Sequence, residues 1–260
     1  WKAFSKVPFN HPVYWDSQPT VSADGNTIIF ASDRPGGFGG IDLYQSLKDS
    51  RTGIWGPAQN LGNKVNTPED EKTPFLHTDS KTLYFSSNGH AGFGKYDIFY
   101  IRKNEKGDWL EAKNIGKPIN GKTDDTGFFV STDGNTAYFV SFEGEKFSGR
   151  GVGRYDLYSF PLYPEARPEE MSLKSGGAKD KDGEPVKGAQ VEITTVGTNE
   201  KIKALVDSAT GDFMFAINSK KHAEVVISVK REGLAYSSAV INVQDPIKAS
   251  ATKPVIITMD

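Results

Sequence analysis

Six aspartates recur at matched places in the first 160 residues, and they are the side chains best placed to do chemistry. Asp24, Asp79 and Asp133 sit in turn-forming contexts: Ser22-Ala-Asp24-Gly25, Thr78-Asp79-Ser80 and Thr132-Asp133-Gly134. Asp42, Asp97 and Asp156 each precede an aliphatic and then an aromatic residue, as in Asp42-Leu-Tyr44, Asp97-Ile-Phe99 and Asp156-Leu-Tyr158. A carboxylate can ligate a cation or move a proton. Ligation needs several donors converging, and glycosidase-type acid–base work needs two carboxylates facing each other across a cleft. A carboxylate repeated at one position of a repeat more simply accepts backbone N–H bonds and fixes a turn. All six are therefore read as structural repeat positions. The adjacent pairs Asp70-Glu71 and Asp124-Asp125 supply no cleft by themselves.

Other chemistry is largely excluded. His11, His77, His90 and His222 show no metal-ligand spacing, and there is no Gly-x-Ser-x-Gly elbow. Cysteine is absent, which removes thiolate nucleophiles, disulfides and Cys-ligated metal. The expectation is no catalytic residue, no metal and no cofactor. The net charge of -2 gives no basic field for nucleic acid, and no apolar run is long enough to insert in a membrane.

Binding is the better candidate. Gly-rich stretches at 36–40, 89–94 and 144–153 carry Phe38, Phe93 and Phe147, with His90 in the second. Aromatics on loops held by a rigid scaffold suit a protein partner. These four residues are the candidate partner-binding positions. The loops lack Gly-Lys-Ser/Thr, so they are not phosphate cradles.

The elements that carry these residues repeat with a period of about 55. Each unit reads as a short strand, an Asp-centred tight turn, a strand alternating β-branched and aromatic residues (27–32, 82–87, 136–141), a Gly loop, and a third strand holding the second Asp. Asp-Gly favours a primed two-residue hairpin turn. A fourth strand is expected near Trp55 and Trp109. Four antiparallel strands per repeat make a propeller blade. Three blades over residues 1–163 do not close a ring. The expectation is a partial β-propeller, the C-terminal part of a larger one, with an open array or closure by a second chain as alternatives. Trp1 and Phe9-Asn10 resemble the end of one more copy, so the chain is read as a piece of a longer protein.

The pattern changes at 162–170, where Pro164 and Pro168 stand among Glu165, Glu169 and Glu170. Residues 164–171 are expected to be a linker. Seven candidate strands follow in 172–260, at 172–178, 189–195, 202–206, 212–217, 224–230, 237–243 and 254–259. They read as a β-sandwich and complete an all-β chain.

Two resemblances follow from these motifs. The Ser-x-Asp-Gly-x-x-Ile-x-Phe-x-Ser…Gly-x-x-Asp-Leu-Tyr pattern of 22–44, and its echoes, resembles the TolB-type WD40-like (PD40) propeller repeat. The spacer through Trp55, Asn60-Leu-Gly62, Val65-Asn-Thr67, Asp70-Glu71 and Pro74 resembles the version in Bacteroidetes OmpA-family peptidoglycan-associated lipoproteins, including a type IX secretion system component. The third repeat departs from it, with Asp124-Asp125 for the Asp-Glu pair and Phe128 at the place of Pro74. Asp180-x-Asp182-Gly183-x-Pro185-Val186-x-Gly188-Ala189, then Thr210-Gly211-x-Phe213-x-Phe215, is similar to the carboxypeptidase regulatory-like, transthyretin-like domain. The resemblance implies a non-catalytic envelope scaffold in the periplasm at the outer membrane. Its propeller would hold an envelope or secretion-system protein. Its sandwich would be a spacer to a peptidoglycan-binding domain outside this chain. An accessory region of an envelope peptidase or hydrolase, and a glycan- or muropeptide-binding module, are the alternatives.

Overall fold

The computed structural model describes residues 6–49, 51–142, 155–233, 236–245 and 253–259. The chain divides into two compact units, Trp1–Pro168 and Glu169–Asp260. Among the described residues there is no α-helix, and hence no helix long and apolar enough to cross a membrane.

The first unit holds three blade-like sheets. In the first, β1 (Asp16–Val21), β2 (Thr27–Ser32), β3 (Asp42–Leu47) and β4 (Gln59–Asn60) lie in sequence order. The second repeats this with β5 (Glu71–Leu76), β6 (Thr82–Ser87), β7 (Asp97–Arg102) and β8 (Lys113–Asn114). The third has β9 (Asp125–Val130), β10 (Thr136–Ser141) and β11 (Asp156–Pro161), and among the described residues no fourth strand. Every neighbouring pair is antiparallel. The expected fourth strands shrink to two residues each, and Trp55 and Trp109 form only isolated bridges to Lys48 and Lys103.

Two local expectations change. The Asp turns are not two-residue hairpins. Ser22 N–H donates to Thr27 O and Gly25 N–H to Ser22 O, so four residues lie between the paired positions. The Asp side chain fills that wider loop: Asp24 accepts from the Ser22 hydroxyl, the Asn26 N–H and the Asn26 amide. The first strand of each blade, expected to be short, runs six residues in β1, β5 and β9. Each carries a bulge in which Gln18, Thr73 or Gly127 has positive φ (54°, 48° and 62°). The bulge residues link the blades. Thr73 N–H donates to Gln18 Oε1 at 2.9 Å, and Gly127 N–H to Thr73 Oγ1 at 3.3 Å.

Blade faces alternate by the two-residue period of a strand, so the middle sheet packs apolar residues on both sides. Ile29, Ala31 and Leu43 meet Leu83, Phe85, Phe99 and Ile101 between blades one and two. Tyr84, Ile98 and Tyr100 meet Phe128, Ala137 and Phe139 between blades two and three. Residues 164–168 do not behave as a free linker. Pro164–Ala166 is a single 3-10 turn, Ala166 is buried, and the Tyr84 hydroxyl donates to its carbonyl at 2.6 Å.

The second unit is a sandwich of two four-stranded sheets. One orders β15 (Leu205–Val206), β16 (Asp212–Ile217), β12 (Ser172–Asp180) and β19 (Val255–Met259). The other orders β14 (Lys201–Ile202), β13 (Gln190–Thr195), β17 (Glu224–Lys230) and β18 (Ser237–Asn242). The third of the seven expected strands, at 202–206, is two short pieces, one in each sheet, so eight strands are present among the described residues. A chain crossing from one sheet to the other cannot pair continuously in both. β12 and β19 run parallel, which hydrophobic alternation does not encode. Phe213 and Phe215 share the core with Ile193, Ile227 and Met259. Gly188 is required by its φ of 73°, although a Cβ there would touch nothing.

Candidate functional site

Strands alternate in direction within each blade, so the ends of the sheets differ. The turns at Asp24, Asp79 and Asp133 lie at one end. The Gly loops, and the segments leading into β1, β5 and β9, lie at the other. The second Asp of each repeat builds this loop end. Asp42 Oδ2 accepts from the Phe38 N–H at 2.5 Å and from the Asn60 amide at 2.9 Å. Asp97 Oδ2 accepts from the Phe93 N–H. Both carboxylates are buried. They press so closely on the loop that a Cβ at Gly37 or Gly92 would lie 1.9 or 1.7 Å from the oxygen. The loop therefore needs glycine before the phenylalanine, and the Asp pins the phenylalanine N–H while its ring points outward. Phe38 is 50% exposed and Phe93 48%. The Lys117 ammonium lies 5.1 Å from the Phe93 ring centroid.

His90 is placed otherwise. Its Nε2 is 2.8 Å from the Val65 carbonyl, and its ring packs on Phe85 and Phe99. It braces the loop from within. Phe147 lies outside the described residues. Asp156 occupies the same strand position as Asp42 and Asp97, and one of its carboxylate oxygens is buried. Asp79 is held by the turn end of blade two, where His77 stands at the place of Ser22 and Ser131. His77 is fully buried, with Nε2 3.1 Å from the Ser131 carbonyl of the next blade. Burial raises the Asp79 carboxyl, but His77 and the N–H groups of Lys81 and Thr82 outweigh it and hold it below the usual aspartate value.

Further exposed aromatics share the loop end. Tyr14 and Trp15 precede β1, and Phe142 stacks edge-on against Tyr155 in blade three. Trp15 stands where the later blades have Asp70 and Asp124, so the Asp-centred repeat pattern hid it. The polar groups between these rings are engaged with one another. Asp70 Oδ2 takes the Tyr96 hydroxyl at 2.7 Å and the Lys72 ammonium at 3.0 Å, and Oδ1 takes the Ile41 N–H. Partial burial pushes Asp70 up, and these bonds more than reverse it. Glu71 is raised by burial despite bonds from Ser87 and Thr67. Among the described residues no three His, Cys, Asp or Glu side chains converge as metal ligands. The arrangement is a row of fixed aromatic edges separated by internally paired charges. It can bind an apolar or aromatic surface.

No family model matches the chain, and neither does any curated protein. Among solved structures, TolB from Acinetobacter baumannii is similar at 16% identity over 76% of this chain, with a TM-score of 0.38. The chain spans 42% of that TolB chain. An alpha-L-arabinofuranosidase from Lactobacillus brevis is similar at 12% identity, covering 91% of this chain and 74% of its own, TM-score 0.38. The periplasmic gluconolactonase PpgL from Pseudomonas aeruginosa shows 9% identity, 86% and 68% coverage, and a TM-score of 0.30. Two of these three are enzymes by name, and the blade assignment for this chain rests on its own repeated sheets.

Proposed function

We propose that this chain is a non-catalytic scaffold of the cell envelope whose blade array holds a protein partner at its loop end. The observation that carries the reading is the pair Phe38 and Phe93, half-exposed on loops whose backbones are fixed by buried aspartates. Such preorganised aromatics lose little conformational freedom on binding. Trp15 and Tyr14 extend the same surface. In this reading the sandwich is a spacer, the location is periplasmic at the outer membrane, and peptidoglycan is reached only through a domain outside this chain. A peptidoglycan-associated component of type IX secretion is the particular setting that the spacer motif suggests.

The test is cross-linking mass spectrometry in intact envelopes, comparing the native protein with a Phe38→Ser/Phe93→Ser variant. Both positions are surface sites, so folding stability should change by no more than about 0.5 kcal/mol. Cross-links from the loop end to one envelope protein should disappear in the variant. Unchanged cross-links, or partners found only at the Asp24 and Asp79 turn end, would remove the proposal. Loss of binding to glycan fragments instead would favour the sugar-binding reading.

A further inference from the structure

The first two blades are finished by a segment that has no counterpart in the third among the described residues. After β4, the chain turns at Gly62 and brings Asn66 back to β3. Asn66 Oδ1 accepts the Leu43 N–H at 2.8 Å, and Nδ2 donates to the Leu43 carbonyl at 2.9 Å. Blade two repeats this with Gly116, Asn120 and Ile98, at 2.8 and 2.9 Å. In both, the returning Asn also donates to the Asn of the fourth strand, Asn60 or Asn114. One side chain thus satisfies a backbone N–H that the short fourth strand cannot reach and adds a second donor to the carbonyl, which also accepts the Leu61 or Ile115 N–H at 3.0 Å. Leu43 and Ile98, packed between neighbouring blades, are 0% exposed.

Leu157 is their counterpart in blade three. It faces Val140 across the sheet as Leu43 faces Ala31 and Ile98 faces Ser86. It is 68% exposed, and β11 is the sheet edge among the described residues. Phe129, on the same face, is also exposed, whereas its counterpart Phe75 packs against blade three. An apolar edge strand of this kind is a template for strand addition.

The geometry points to β11 as a docking edge for an extended polypeptide segment of the kind formed by residues 55–66 and 109–120. That kind is Trp, then Asn-aliphatic-Gly, then aliphatic-Asn. The occupant is argued from the two examples inside the same chain, where this segment covers the equivalent edge with the same bonds. A second copy of the chain is disfavoured as donor, because its two full segments are buried in its own blades and Phe9 of the partial third copy stacks on its own Phe30. The segment comes from another polypeptide stretch carrying that pattern. This inference uses a different surface from the loop end and does not depend on it.

The test adds a synthetic peptide of residues 55–66 to the full 260-residue chain and reads amide hydrogen exchange by mass spectrometry. Saturable protection confined to 156–161 and its neighbours is expected. A peptide with Asn66→Ala should bind about tenfold more weakly, since it leaves the Leu157 N–H of β11 unpaired. A Leu157→Asp variant, altered at an exposed site, should fold normally and lose the protection. Equal protection by the Asn66→Ala peptide would overturn the inference. So would protection elsewhere, none at about 1 mM peptide, or a dimer of the chain in which β11 is already protected without peptide.

Discussion

Replacing Asn120 with alanine should unfold the blade array far more easily than any surface change. Asn120 is 0% exposed and holds three groups: the Ile98 N–H, the Ile98 carbonyl and Asn114 Oδ1. Asn114 Oδ1 keeps its bond from the Gly116 N–H, so its loss is small. Ile98 is fully buried, and alanine leaves its N–H without a partner, while its carbonyl keeps the Ile115 N–H at 3.0 Å. A buried unpaired group costs about 1–3 kcal/mol, and the lost bonds to the Ile98 carbonyl and to Asn114 add a little more, which puts the variant at about 2–3 kcal/mol below the native protein. That is a large part of the stability of about 5–15 kcal/mol typical of a domain. Asn120→Asp should do no better, because a second oxygen would face the Ile98 carbonyl. The assay is urea denaturation followed by tryptophan fluorescence. All four tryptophans, Trp1, Trp15, Trp55 and Trp109, precede residue 168, so the signal reports the first unit alone. Asn10→Ala, an exposed control, should change stability by less than about 0.5 kcal/mol. A loss below about 1 kcal/mol at Asn120, within the range of one ordinary net hydrogen bond, would refute the clamp.

Two further outcomes are expected. Gly92→Ala should lower the melting temperature and free the Phe93 loop, because the new Cβ would meet Asp97 at 1.7 Å; an unchanged melting temperature would show that the loop is not pinned. Asp79 has a folded pKa held below its unfolded value, so its contribution is present above the unfolded value of about 3.9 and is lost as pH falls through the lower, folded one. Stability of the first unit measured from neutral pH downward should therefore fall in that acid window, and Asp79→Asn should flatten this part of the curve.

Much of the fold was legible in the chain itself. The repeat of Asp24, Asp79 and Asp133 marks three equivalent sheets, because a unit that cannot bury both faces alone must be copied and stacked. The second set, Asp42, Asp97 and Asp156, was read as structural, and in the first two blades the carboxylates anchor the loops that carry Phe38 and Phe93. Strand alternation also placed Phe213 and Phe215 on one core face.

What sequence could not supply is everything set by partners distant along the chain. His90 reads as a loop residue, yet its ring turns inward because Val65, from another turn of the chain, offers a carbonyl. Trp15 joins the aromatic end only because β1 pairs with β2 and brings it beside Asp33, whose carboxylate takes its N–H at 2.7 Å. The bulges at Gln18 and Thr73 arise where one blade must hydrogen-bond to the next. The crossing of 202–206 between sheets and the parallel pairing of β12 with β19 have the same origin. Local pattern fixes which face of a strand is apolar, because that depends on a two-residue period. Which strand, loop or side chain then meets that face is decided by packing across tens of residues, and only the tertiary structure records it.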